Sequence, residues 1–227
     1  MSSAPPTPAS TSLTPTTSIG ADELSALAAG SLVENAAVVD VDVTALPAVE
    51  FYRCRFERCR MADASSARVR FEDCEFAACD LTKLRFGDAS LRGVRFVDCK
   101  LVGVDFAAAA DNPDVAFHGC LMRYARFDGV SLRGVVFRAC QLVEASFVET
   151  LLDDATFDDC DLTNAVFKNA SLGGADFSTS SGVFFGLANN RVQDAFISVD
   201  TAIHLARAAG LRVAGTDEKR GARKRRR

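Results

Sequence analysis

The side chains of this 227-residue chain best suited to covalent or metal chemistry are eight cysteines and two histidines. A thiol activated by an imidazole makes a nucleophile, and clustered Cys and His hold zinc. Neither pattern is met. His118 follows a periodic Phe and His204 lies in a C-terminal apolar segment, and neither is matched with an evident nucleophile and acidic partner. There is no phosphate-binding glycine loop, metal-ligand cluster or nucleophile elbow. The chain is therefore expected to be no enzyme and to carry no metal and no cofactor.

The cysteines are explained by a period instead. Cys59, Cys79, Cys99, Cys120, Cys140 and Cys160 are spaced 20, 20, 21, 20 and 20. Phe56, Phe76, Phe96, Phe117, Phe137, Phe157 and Phe177 repeat the same spacing, with the same single extra residue. Between them a large apolar residue falls on every fifth position from Phe51, with Ser66 the weak exception. Two residues earlier sits a small one, as at Cys54, Cys74, Val94, Ala125, Ala145, Ala155 and Ala175. A period of five fits neither the 3.6 of a helix nor the 2 of a strand, whereas four units closing one square turn would stack residues twenty apart. All eight cysteines then take the small inward position and act as buried hydrophobes, aligned too nearly parallel for disulfides.

Segments such as CEFAACDLTKLRF, CQLVEASF and CDLTNAVFKNASLGGADF resemble the A(D/N)Lxx consensus of the pentapeptide-repeat family. That resemblance covers about residues 39–187 and implies an all-β solenoid, a right-handed quadrilateral β-helix with the large and small residues turned inward. The slip at AAAADNPDV, with Pro113, is expected to form a bulged corner.

Around the coil, residues 1–20 are Ser/Thr/Pro-rich and expected to be a disordered tail. Residues 21–38 are expected to form an N-terminal cap with a short helix in ADELSALAAG, stopped at Gly30. Residues 188–215 hold a helix capped by Ser198 or Asp200 and ending at Gly210, and residues 216–227 a basic tail with seven bases and two acids. Such a tail is either a solubilising terminus or a contact for nucleic acid or membrane. No apolar run is long enough for a membrane span and no signal peptide is evident, so a cytoplasmic protein is expected.

The segment ISVDTAIHLARAAGLRV also resembles the C-terminal element of the quinolone-resistance branch of the family, in its loop-free, mycobacterial gyrase-inhibitor form. There the last helix joins two protomers. A homodimer through Val199, Ala202, Ile203, Leu205, Ala206 and Ala209 is expected, the alternative being a cap folded on its own coil.

Charge is uneven along the chain: residues 51–100 hold eleven bases and eight acids, residues 101–187 twelve acids and five bases. Between Arg138 and Lys168 lie seven acids and no base: Glu144, Glu149, Asp153, Asp154, Asp158, Asp159 and Asp161. All fall on outward positions, so this acidic belt is expected to lack local counter-charge and to bind a basic partner while repelling nucleic acid. Two functions remain open. One is DNA mimicry, which the resemblance implies, directed at bacterial type II topoisomerase (DNA gyrase). The other is a scaffold for an unidentified protein partner. The bases Arg53, Arg55, Arg58 and Arg60 weigh against a uniform mimic.

Overall fold

The structure, a computed structural model, describes residues 13–109 and 113–216. The chain winds into a parallel β-solenoid of about seven turns closed by a C-terminal helix. Eight strands stack in chain order on one side: Thr17–Ile19, Ala36–Val39, Arg55–Glu57, Glu75–Ala77, Val94–Val97, Val115–His118, Val136–Arg138 and Thr156–Asp158. We call this face 1. Following the chain from it, face 2 is carried by single bridges such as Arg60 to Asp80 and Gln141 to Asp161. Face 3 includes Ser146–Val148 paired with Val166–Lys168, and face 4 the four strands Leu32–Glu34, Glu50–Tyr52, Arg70–Glu72 and Ser90–Arg92.

The register is that of the sequence columns. Phe56 lies directly against Phe76, Phe96 against Phe117, and Phe137 against Phe157. Inside, two ladders of rings run up the coil. Phe117 and Phe137 stack at 5.0 Å, as do Phe127 and Phe147 on the opposite side, and the ladders meet edge to face, with Phe137 and Phe147 at 6.1 Å. Offset and edge-to-face packing suit the ring quadrupole, and each buried ring removes its full apolar surface from water. Ser66, the exception to the period, is fully buried and donates to the Arg85 carbonyl at 3.3 Å.

The eight cysteines are all buried and unpaired, at the small inward position. Seven of the thiols point at main-chain carbonyls of the previous turn, as Cys59 to Val38 at 3.2 Å, Cys99 to Phe76 at 3.3 Å and Cys120 to Phe96 at 3.4 Å, while Cys140 meets the Arg138 carbonyl at 3.2 Å.

The corners turn through residues with positive φ. Asp, Asn and Gly take many of them, but so do Arg58, Tyr124 and Glu149, because a whole solenoid over-determines the conformation. At the slip, Phe106–Ala108 make a 3-10 turn whose Asp105 carboxylate accepts from the Ala107 amide at 3.0 Å. The chain rejoins in register at Val115 against Val94. Residues 110–112 of the expected bulge lie outside the described residues.

The boundaries differ from expectation at both ends. Thr17–Ile19, assigned to a disordered tail, instead pairs in parallel with Ala36–Val38. Strand addition needs backbone groups rather than apolar side chains, and Ile19 still packs on the core. The coil therefore starts before residue 39, and bridges from Ser171 to Arg191 and Asp176 to Phe196 carry it past residue 187. Helix α1 spans only Ala21–Ser25, with Glu23 accepting from the Gly20 amide at 3.1 Å and Leu24 buried as a plug. Helix α2, Val199–Ala208, is capped by the Ser198 hydroxyl, which accepts from the Thr201 amide. Residues 1–12 and all of the basic tail except Thr216 lie outside the described residues.

Candidate functional site

The seven acids of the belt all point outward, but they do not share a face. Five-residue units turn the chain by one side each, so eighteen residues travel almost once around the coil. Glu144, Glu149, Asp154 and Asp159 stand at its four successive corners, all with positive φ and all exposed. The belt is thus a girdle: one turn of the rod presents a carboxylate at every corner.

The other three acids lie on the flat sides and are partly covered. Asp153 receives Arg133 at 2.9 Å and also accepts from the Ser171 hydroxyl at 2.6 Å. Asp158 receives Arg138 at 2.9 Å. Asp161 accepts from the amide and hydroxyl of Thr163 at 3.0 and 2.6 Å. The expectation of a belt without counter-charge is corrected here, since the bases come from the preceding turn, twenty residues back. None of the four corner carboxylates is in an ion pair among the described residues. The Tyr124 hydroxyl donates to the Glu144 carboxylate at 3.5 Å.

In the first half of the coil the excess of bases is largely neutralised by stacking. On face 2, Asp42, Arg60, Asp80 and Lys100 alternate in sign up one column, with Arg60 bonded to Asp42 and Lys100 to Asp80 at 3.6 Å. Arg58 forks onto Asp40 at 2.8 and 2.9 Å, and this bond holds the Asp40 carboxyl below its ordinary range. On face 1, Glu75 lies between Arg55 at 3.1 Å and Arg95 at 3.4 Å. Of the four bases that weighed against a DNA mimic, Arg55, Arg58 and Arg60 thus have carboxylate partners.

At the C-terminal end, α2 seats Thr201 and Leu205 against the last turn. Leu205, expected at a dimer contact, is 6% exposed within a single chain. Ile203 and Ala206 are half-buried, whereas Val199, Ala202 and Ala209 are exposed. In the same C-terminal stretch of sequence, Phe184, Leu187, Phe196 and Leu211 are also more than half exposed. These four were not singled out from sequence. Their failure to fit the inward positions of the five-residue frame was the available signal.

The buried thiols shift in both directions: hydrogen bonds from the adjoining Cys74 and Cys79 thiols lower Cys54 and Cys99. The adjoining Cys120 thiol and burial push the Cys140 thiol up to about 12, and Cys74 and Cys160 are raised by the same causes. Among the described residues no group of three or more His, Cys, Asp or Glu is placed to hold a metal ion, and no helix is long and apolar enough to cross a membrane.

Comparison with solved structures finds the plasmid-mediated fluoroquinolone resistance protein QnrB1, 21% identical, with a TM-score of 0.55 over 87% of this chain and 95% of that one. HetL, a pentapeptide-repeat protein of Nostoc sp. strain PCC 7120, is 15% identical over 73% of this chain and 86% of its own, with a TM-score of 0.31. At these identities the likeness concerns the fold. No curated protein matches the sequence. The family model described as "Pentapeptide repeat region" matches residues 49–127 and 110–182, more than half of the chain, which belongs to the pentapeptide-repeat family.

Proposed function

We propose that this chain is a non-enzymatic protein-binding rod whose partner is a bacterial type II topoisomerase, DNA gyrase, entered as a mimic of duplex DNA. Binding would inhibit the enzyme or shield it from quinolones. The observation that carries this reading is the girdle. Glu144, Glu149, Asp154 and Asp159 put unpaired, exposed carboxylates around the whole circumference of one turn, as a duplex presents phosphates around its axis. A groove built for nucleic acid is lined with Lys and Arg and would meet negative charge at every corner. The fold likeness to QnrB1, a plasmid-mediated fluoroquinolone resistance protein, agrees with this reading.

A homodimer through the C-terminal end is part of the same proposal. Val199, Phe196 and Leu211, at the start of, before and beyond α2, are exposed by 77, 63 and 63%, apolar surface that a second copy would cover. Two rods joined end to end would place a girdle on each side of the joint. Such a role requires a cytoplasmic protein, where the chromosome and its topoisomerases are.

The second reading, a scaffold for another protein partner, is favoured by the paired columns of the first half, whose near-neutral flat sides are unlike DNA. A supercoiling assay separates the two. Purified gyrase titrated with this protein, with and without a quinolone, should lose supercoiling activity or gain resistance to the drug. No effect at any ratio or salt concentration leaves the scaffold reading alone.

A further inference from the structure

We infer that the coil interior binds mercury(II), a soft two-coordinate cation, with one ion between Cys54 and Cys74 and one on Cys79 within the column Cys59, Cys79 and Cys99. These five thiols are buried and free. Each points at one carbonyl of the previous turn and at one two residues back, at 3.2–3.6 Å. Their turns are paired in register, Phe56 against Phe76 and Phe76 against Phe96. One thiol orientation therefore repeats from turn to turn, and successive sulfurs are separated by the spacing of the strands, about 4.8 Å. Two bonds of the length a metal makes to thiolate, about 2.3 Å each, span about 4.6 Å end to end. An ion can thus lie in line between two stacked sulfurs in place of the thiol protons, and it needs no cavity. The second column is broken at Cys140, which meets the Arg138 carbonyl instead.

The surroundings select the ion. Zinc takes four ligands in a tetrahedron, and among the described residues no group of three or more is placed to supply them. Apolar side chains fill the rest of the core, and thiolate favours soft cations. Charge decides among these. A monovalent ion on two thiolates would leave a net negative charge in a dry interior, whereas a divalent ion on two thiolates is neutral. Each mercury(II) forms two Hg–S bonds, breaks two S–H bonds and releases two protons to solvent, with no change of oxidation state. Because the thiols are buried, the ion enters by local opening of the coil. The inference is independent of the girdle and of any partner.

The test is native mass spectrometry of the full chain equilibrated with mercuric acetate and desalted, with circular dichroism on the same samples. The folded chain should carry two ions, each having displaced two protons, with its β-rich spectrum kept. Cys74→Ala and, separately, Cys79→Ala should each lose one ion, since Cys79→Ala leaves Cys59 and Cys99 two turns, about 10 Å, apart. Cys59→Ala should keep both, because Cys79 and Cys99 remain stacked. Alanine already fills the same inward position at Ala125, Ala145 and Ala155, so these variants should fold. No uptake, or uptake only with loss of the β-rich spectrum, overturns the inference. So do ions that have displaced one proton and retain acetate, full loading in both Cys74→Ala and Cys79→Ala, or loss of an ion in Cys59→Ala.

Discussion

The Thr150 hydroxyl donates to the Phe127 carbonyl at 2.8 Å, one turn of the coil below, and Ser180 makes the same 2.8 Å contact to Phe157. Thiols do this elsewhere, as Cys99 does to Phe76. The small inward position is therefore a hydrogen-bonding position, and a hydroxyl serves it more strongly than a thiol. Thr150→Val keeps the volume and removes one of the two donors to the Phe127 carbonyl, the other being the Val130 amide at 3.1 Å, so stability should fall by about 0.5–1.5 kcal/mol in urea unfolding. A variant as stable as wild type would show that this contact contributes nothing.

The ring ladder makes a larger claim. Phe137 stacks on Phe117 at 5.0 Å and on Phe157 at 4.9 Å and is fully buried. Phe137→Ala should cost about 3–5 kcal/mol through lost transfer energy and the cavity left between two neighbours that cannot close on it. Equilibrium denaturation measures this directly, and a loss below about 1 kcal/mol would mean that the solenoid collapses into the gap.

These columns were legible in the sequence because packing alone decides them. Phe and Cys recur wherever the wall faces inward, whatever the surface does. The pairs Arg133–Asp153 and Arg138–Asp158 were missed for a different reason: each base lies twenty residues before its acid, outside the window in which the belt was counted. The spacing that aligned the cysteines would have found both. The strand Thr17–Ile19 left no such trace, since a polar Ser/Thr tract joins a sheet edge through its backbone and shows no apolar alternation.

Titration should expose the cysteine column. With Cys140 pushed up to about 12 from an ordinary 9.0, the folded state holds this proton more tightly than the unfolded state does. The stabilisation is complete below pH 9 and is lost as pH rises toward 12. Because all eight thiols are buried, iodoacetamide at pH 8 should label none of them in the native protein and all of them in denaturant, read by intact mass. Rapid native labelling at Cys140 would contradict the burial.

Within the girdle, corner and side acids should behave oppositely. Asp153→Asn removes the partner of Arg133 and weakens a bond from Ser171, so it should lower the melting temperature. Asp154→Asn, at an exposed corner and outside any ion pair, should leave it unchanged or raise it slightly by relieving like-charge repulsion. Equal effects in thermal scans would mean that the pairing of Asp153 is inconsequential.

At the C-terminal end, Ile203→Asp or Val199→Asp should yield monomers that melt as wild type does, because neither side chain is fully buried in its own coil. Leu205→Asp should instead loosen the cap itself, placing an unpaired carboxylate where Leu205 meets the core. Sedimentation together with thermal melting distinguishes these outcomes. A wild type that sediments as a monomer at micromolar concentration would rule out the dimer.

Association kinetics with gyrase test the DNA-mimic reading most directly. Complementary charge acts mainly on encounter, and exposed charges are screened over about 8 Å at physiological salt. Surface-immobilised gyrase should bind the wild-type rod with an association rate that falls steeply as salt rises. The quadruple variant Glu144→Gln, Glu149→Gln, Asp154→Asn and Asp159→Asn should associate at least about tenfold more slowly, with little remaining salt dependence. A variant that binds as fast as wild type at every salt concentration would contradict the girdle as the gyrase-facing surface.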